Sequence, residues 1–110
     1  MTNHVYVRDF VLQPAGSTGT GNGNEWDLQG LNVEASIYMT WASGSSAGQV
    51  VIEASNVTAY AGTWAPLTTI SWSAASKIDL YQFQGTFRYV RARIASAITN
   101  GSVTVLGDAN

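Results

Sequence analysis

The sequence predicts an all-β domain, an antiparallel β-sandwich or jelly-roll-like fold of about seven to eight strands. Three observations predict it. Nearly every patterned segment alternates apolar and polar residues with a period of two, no stretch shows helical spacing, and turn signals rich in Gly, Asn and Ser recur at short intervals.

A first strand is expected over residues 4–12. The segment Pro14-Ala-Gly-Ser-Thr-Gly-Thr-Gly-Asn-Gly follows, and residues 13–24 read as a flexible glycine-rich loop or arm. In LNVEASIYMTW, residues 31–41, Leu31, Val33, Ala35, Ile37, Met39 and Trp41 share one face, while Glu34 and Tyr38 lie on the other. QVVIEAS, residues 49–55, repeats this pattern, with Val50, Ile52 and Ala54 inward and Glu53 outward. Residues 43–48 form a small-residue loop between the two. Further strands are expected at 67–72, 78–83, 87–98 and 102–106, and Asn100-Gly101 reads as a hairpin turn between the last two. No composition break divides the 110 residues, so the chain 1–110 is a single domain.

Composition narrows the function. Hydrophobic residues make up 45% of the chain and charged residues only 11%. A surface so poor in charge is built from Ser, Thr, Asn, Gln and Gly, and suits coverage by partner chains. The net charge of −2 argues against nucleic acid and anionic membranes as partners. Cysteine is absent, which removes disulfides and thiolate metal sites. The start, MTNHVYVRDF, shows no export-signal pattern, and no run reaches the ~18 apolar residues of a membrane span.

Catalytic chemistry finds little support. The only histidine is His4, no G-x-S-x-G elbow is present, and the seven acidic residues are scattered. GTGNGN, residues 19–24, lacks the spacing and the following lysine of a phosphate loop, and it leads into a strand. Asn22, Asn24, Glu25 and Asp27 are rich in oxygen but lack EF-hand spacing. The expectation is no catalytic residue, no metal and no cofactor. Four tryptophans remain. Trp41 and Trp72 are expected in the core and Trp64 at the end of a loop, each N–H with a partner; exposed aromatics would instead favour a sugar-binding surface.

The run GTFRYVRARI, residues 85–94, holds three of the five Lys and Arg residues. Alternation puts Val90, Ala92 and Ile94 in the core and Phe87, Tyr89, Arg91 and Arg93 outside. Arg91 or Arg93 is expected to pair with Glu34 or Glu53 across neighbouring strands. The same four outward residues form the candidate partner-contact face, with an intrachain ion-pair row as the alternative use of the arginines.

Taken in order, GTGNGNEWDLQG, GQVVIEASN, TWAPLTTI, GTFRYVRARI and NGSVTV resemble the small β-sandwich structural proteins of tailed bacteriophages. The resemblance spans residues 19–106. The middle of the chain and RYVR are also similar to discoidin-like carbohydrate-binding domains. Before Trp64 the chain departs from the pattern: such sequences make a tight Asp-Gly turn there, and this one runs through VTAYAGT. The resemblance implies a non-enzymatic virion protein, a capsid decoration or cement protein bound to a lattice of major capsid subunits. It also implies a dimer or trimer, made in the bacterial host cytoplasm and located in the virion. A tail or fibre adaptor and a carbohydrate-binding module are the alternatives, the last with a glycan partner.

Overall fold

In a computed structural model, which describes residues 7–109, the alternating segments become strands: β1 Val7–Ser17, β2 Gly21–Asn22, β3 Trp26–Asp27, β4 Asn32–Trp41, β5 Ala47–Ser55, β6 Ala65–Ser71, β7 Ile78–Thr86, β8 Tyr89–Thr99 and β9 Val103–Ala109. His4 and the start of the expected first strand lie outside the described residues. Two antiparallel sheets result. One has the order β1-β9-β4-β7, and the other β2-β8-β5-β6 with β3 also on β8.

The pairing explains the topology. β5 pairs with β6, β4 with β7, β2 and β3 with β8, and β1 with β9. The chain is thus one long antiparallel hairpin, folded at the β5–β6 connection and rolled until β4 meets β9 and β5 meets β8. β2 and β3 follow one another along β8, Gly21 opposite Ile94 and Trp26 opposite Val90, and behave as one interrupted strand. This is the jelly-roll arrangement.

The inner faces hold the core. Val33, Ala35, Ile37, Met39 and Trp41 of β4 and Val103 and Val105 of β9 face Val50, Ile52 and Ala54 of β5 and Val90, Ala92 and Ile94 of β8, all 4% exposed or less. Each large apolar side chain buried this way contributes about 1.5–3 kcal/mol. The burial also fixes register, because a slip of one residue would turn every one of these side chains to solvent.

Two expectations are corrected. Residues 13–24 are not a free arm. β1 continues to Ser17 and β2 begins at Gly21, and the exposed residues 18–20 carry the chain from one sheet to the other, tied by Ile98 N–H donating to Thr18 O at 2.8 Å. The close packing lies just past β2, where Gly23 N–H donates to Ala92 O at 2.9 Å, Asn24 N–H donates to Leu12 O at 2.9 Å, and Gln13 Nε2 of β1 donates to the same Ala92 O at 2.8 Å. A Cβ on Gly23 would collide with Leu12 O and lie 2.7 Å from Ala92 O, so only glycine lets these backbones approach.

Asn100-Gly101 is not a hairpin turn either. The strands it joins, β8 and β9, lie in different sheets. Asn100 adopts φ 59°, as the pattern anticipates, but the turn hands the chain across the sandwich. Turn residues specify a local reversal of direction, while long-range pairing decides which sheet each strand joins.

Candidate functional site

The outer face of the sheet containing β5 and β8 holds the arginines. Register places Glu53 directly opposite Arg91, and Val51 opposite Arg93, so Glu53 stands beside one arginine and diagonal to the other. Both pair with it. Arg91 Nε donates to Glu53 Oε2 at 2.8 Å and its Nη2 lies 2.7 Å from the same oxygen, while Arg93 Nε donates to Oε1 at 2.9 Å. Glu34, the other expected partner, lies on the opposite sheet across from Gln84. Alternation revealed that both glutamates point outward, but not that they point out of different sheets.

These side chains are outward in register yet largely covered. The Glu53 side chain is 3% exposed, that of Arg91 11% and that of Arg93 40%. The cover is the VTAYAGT segment, which folds back so that the buried Trp64 ring lies 4.0 Å from the Arg91 guanidinium carbon. Trp64 Nε1 donates to Tyr60 O at 3.1 Å, and Tyr89 OH and Thr58 Oγ1 are 3.3 Å apart. Asn56 Oδ1 accepts from Arg88 N–H at 2.7 Å, closing the base of the loop. Glu53 therefore loses water but gains charge-assisted hydrogen bonds from two cations, which offset its desolvation.

Three of the four residues expected on the contact face sit differently from that expectation. Tyr89 is buried and Arg91 is nearly so. Phe87 does not share their face. The chain bends at Arg88 before β8 begins, and the Phe87 ring packs over Gly85 and edge-on to Phe83, with centroids 5.8 Å apart. Arg93 keeps a half-exposed guanidinium. Two guanidinium groups share one carboxylate, so the cluster carries one uncompensated positive charge. Arg93 can therefore still take an external carboxylate. Arg88 pairs separately with Asp27 at 3.1 Å, and that hydrogen bond and charge raise its pKa above the ordinary arginine value.

The oxygen-rich stretch is used locally. Asn24 Nδ2 donates to Val11 O at 2.8 Å, and Asp27 Oδ1 accepts from Gln29 N–H and Arg88 Nε. Among the described residues, no group of three His, Cys, Asp or Glu side chains could hold a metal ion. No helix among them is long and apolar enough to cross a membrane.

The tryptophans fall close to expectation. Trp41 and Trp64 are buried and Trp72 is half-buried against the core. Their N–H groups reach Asp79 Oδ2 at 2.7 Å, Tyr60 O at 3.1 Å and Ser45 Oγ at 3.2 Å. Trp26 is 1% exposed and stacked on Phe10 at 5.5 Å, and its Nε1 lacks a partner among the described residues.

A second surface was not anticipated. On the outer face of the other sheet, Tyr38 lies opposite Leu80 on one side and Leu106 on the other, and Leu106 lies opposite Val11. These four make an apolar row across all four strands, with Leu80 65% and Val11 40% exposed, and Ile78 adds to it at 60%. Each member alternates correctly in its own strand. Only the strand order brings them into line.

Comparison with protein-family models, curated proteins and solved structures finds no match to this chain.

Proposed function

We propose that this chain is a non-enzymatic structural protein of a tailed-bacteriophage virion, a decoration or cement protein that docks on the repeated lattice of major capsid subunits. The apolar row Val11–Leu106–Tyr38–Leu80 carries the reading. It is a charge-poor strip of aligned apolar side chains on the outer face of a sheet, the composition found at the centres of protein interfaces. The resemblance of the chain to small phage β-sandwich proteins supplies the kind of partner. The jelly roll agrees with it, since that architecture is used by viral capsid domains and lectins. Arg93, with its half-exposed guanidinium, adds a polar contact for a carboxylate of the lattice.

The mechanism is adhesion. Contacts of modest strength, repeated over many equivalent positions and presented by linked copies, become strong through effective concentration. Such a role favours a scaffold with a fully buried core and internally paired charges, which is what the Glu53 cluster contributes.

Co-sedimentation with emptied capsids tests the reading. The wild-type chain is expected to pellet with the particles, and Leu80→Glu, at a position 65% exposed, to lose this while keeping its stability within about 0.5–1 kcal/mol of wild type. A chain that ignores capsids but binds tails or fibres moves the role to an adaptor. Binding of glycans with quenched tryptophan emission, and no particle binding, replaces it with a carbohydrate-binding module. Its stacking residues would then be Tyr60, 42% exposed, and Trp72.

A further inference from the structure

A sandwich leaves sheet edges, and an edge of unpaired N–H and C=O groups is a template for another strand. Three of the four edges here are interrupted. β1 carries Pro14 and three register shifts against β9. β6 carries Pro66 and a register shift opposite Ile52 and Glu53. β2 and β3 are two residues each.

β7 is different. Its 9 residues pair with β4 from Ile78 to Thr86 without a shift, include no proline, and hold one charge, Asp79. That carboxylate is already engaged, by Trp41 Nε1 at 2.7 Å and Lys77 Nζ at 3.2 Å. Among the described residues, no strand pairs with the outer edge of β7. Its own chain covers Tyr81 and Phe83 only in part, and these rings stack at 6.0 Å.

We propose that β7 pairs antiparallel with β7 of a second copy across a two-fold axis at Gln82, joining two four-stranded sheets into one continuous sheet. The strand is its own complement. A two-fold axis perpendicular to the sheet keeps each face on its side, so alternate residues meet residues of the same face. Centred on Gln82, the pairing uses the full length of the strand. Leu80 meets Gln84 of the second copy, and Tyr81 meets Phe83, which gathers the half-covered rings of both copies into one cluster. Asp79 meets Gly85, so no like charges face each other, and a net charge of −2 per chain adds little long-range repulsion. This inference needs neither a capsid nor the virion reading.

Sedimentation equilibrium of the full chain tests it. The wild type is expected to be a reversible dimer. Gln82 is exposed, so Gln82→Lys and Gln82→Glu should both fold, with far-UV circular dichroism as the check. Each sets like charges face to face at the axis and raises the dimer Kd about fivefold. An equimolar mixture of the two variants sets Lys against Glu and is expected to associate at least as tightly as wild type. A wild-type chain that stays monomeric at every concentration, a dimer whose Kd ignores both substitutions, or a mixture that fails to recover association would each overturn the proposal.

Discussion

Glu53 and Arg91 face each other across β5 and β8, joined by contacts of 2.7 and 2.8 Å, with only 3% and 11% of their side chains exposed. A pair this buried behaves differently from a surface ion pair. Glu53→Gln leaves the Arg91 charge under Trp64 without its counter-charge and is expected to cost about 3–5 kcal/mol in urea unfolding. Arg93→Ala removes a half-exposed partner and is expected to cost less than about 1 kcal/mol. Equal losses from the two substitutions would refute the difference in burial.

Trp64 acts on the same cluster from above. A double-mutant cycle combining Trp64→Leu and Arg91→Met is expected to show a coupling of about 1–2 kcal/mol, because the guanidinium over the ring is mostly desolvated. A coupling near zero would mean that the indole covers Arg91 without attracting it.

Gly23 and Gly19 provide a matched pair of alanine substitutions. A Cβ at Gly23 collides with Leu12 O and crowds Ala92 O, whereas at Gly19 it meets nothing within 4 Å. Gly23→Ala is expected at or above the upper end of the ~1–3 kcal/mol range for overpacking. Gly19→Ala is expected to be neutral or to stabilise by up to about 1 kcal/mol, through a less disordered unfolded chain. Thermal unfolding of the two variants side by side checks both values.

At Asn100 the backbone is left-handed, φ 59°. Asn100→Gly is expected to keep stability within about 0.5 kcal/mol, and Asn100→Ala to lose about 1 kcal/mol or more. The measurement is the denaturation midpoint of each variant.

How far the sequence revealed this arrangement depended on the range of the interaction. β4 was legible in full, because the alternation from Val33 to Trp41 states which side chains are buried without reference to any other strand. Glu53 was legible as a partner for the arginines, since opposite charges on outward positions point to cross-strand pairing. Alternation misplaces Phe87, because the parity of the strand breaks at the bend at Arg88. The segment 13–24 has the sequence of a loop, because glycine marks both flexibility and close packing. What distinguishes them at Gly23 is the presence of Leu12 and Ala92, which no local pattern contains. The row from Val11 to Leu80 was invisible for the same reason. It exists only once the roll has set β1, β9, β4 and β7 side by side.

The rolled hairpin also bears on how the chain finds its fold. Each pairing encloses the one before it: Ala54 with Ala65, then Thr40 with Ile78, then Trp26 with Val90, then Val7 with Ala109. Once the tip has closed, every later step zips a short remaining gap instead of a long one, which lowers its entropic cost. Folding should therefore start at the β5–β6 tip and finish where the two ends meet. Weakening substitutions at the tip should slow folding, and those between β1 and β9 should chiefly hasten unfolding.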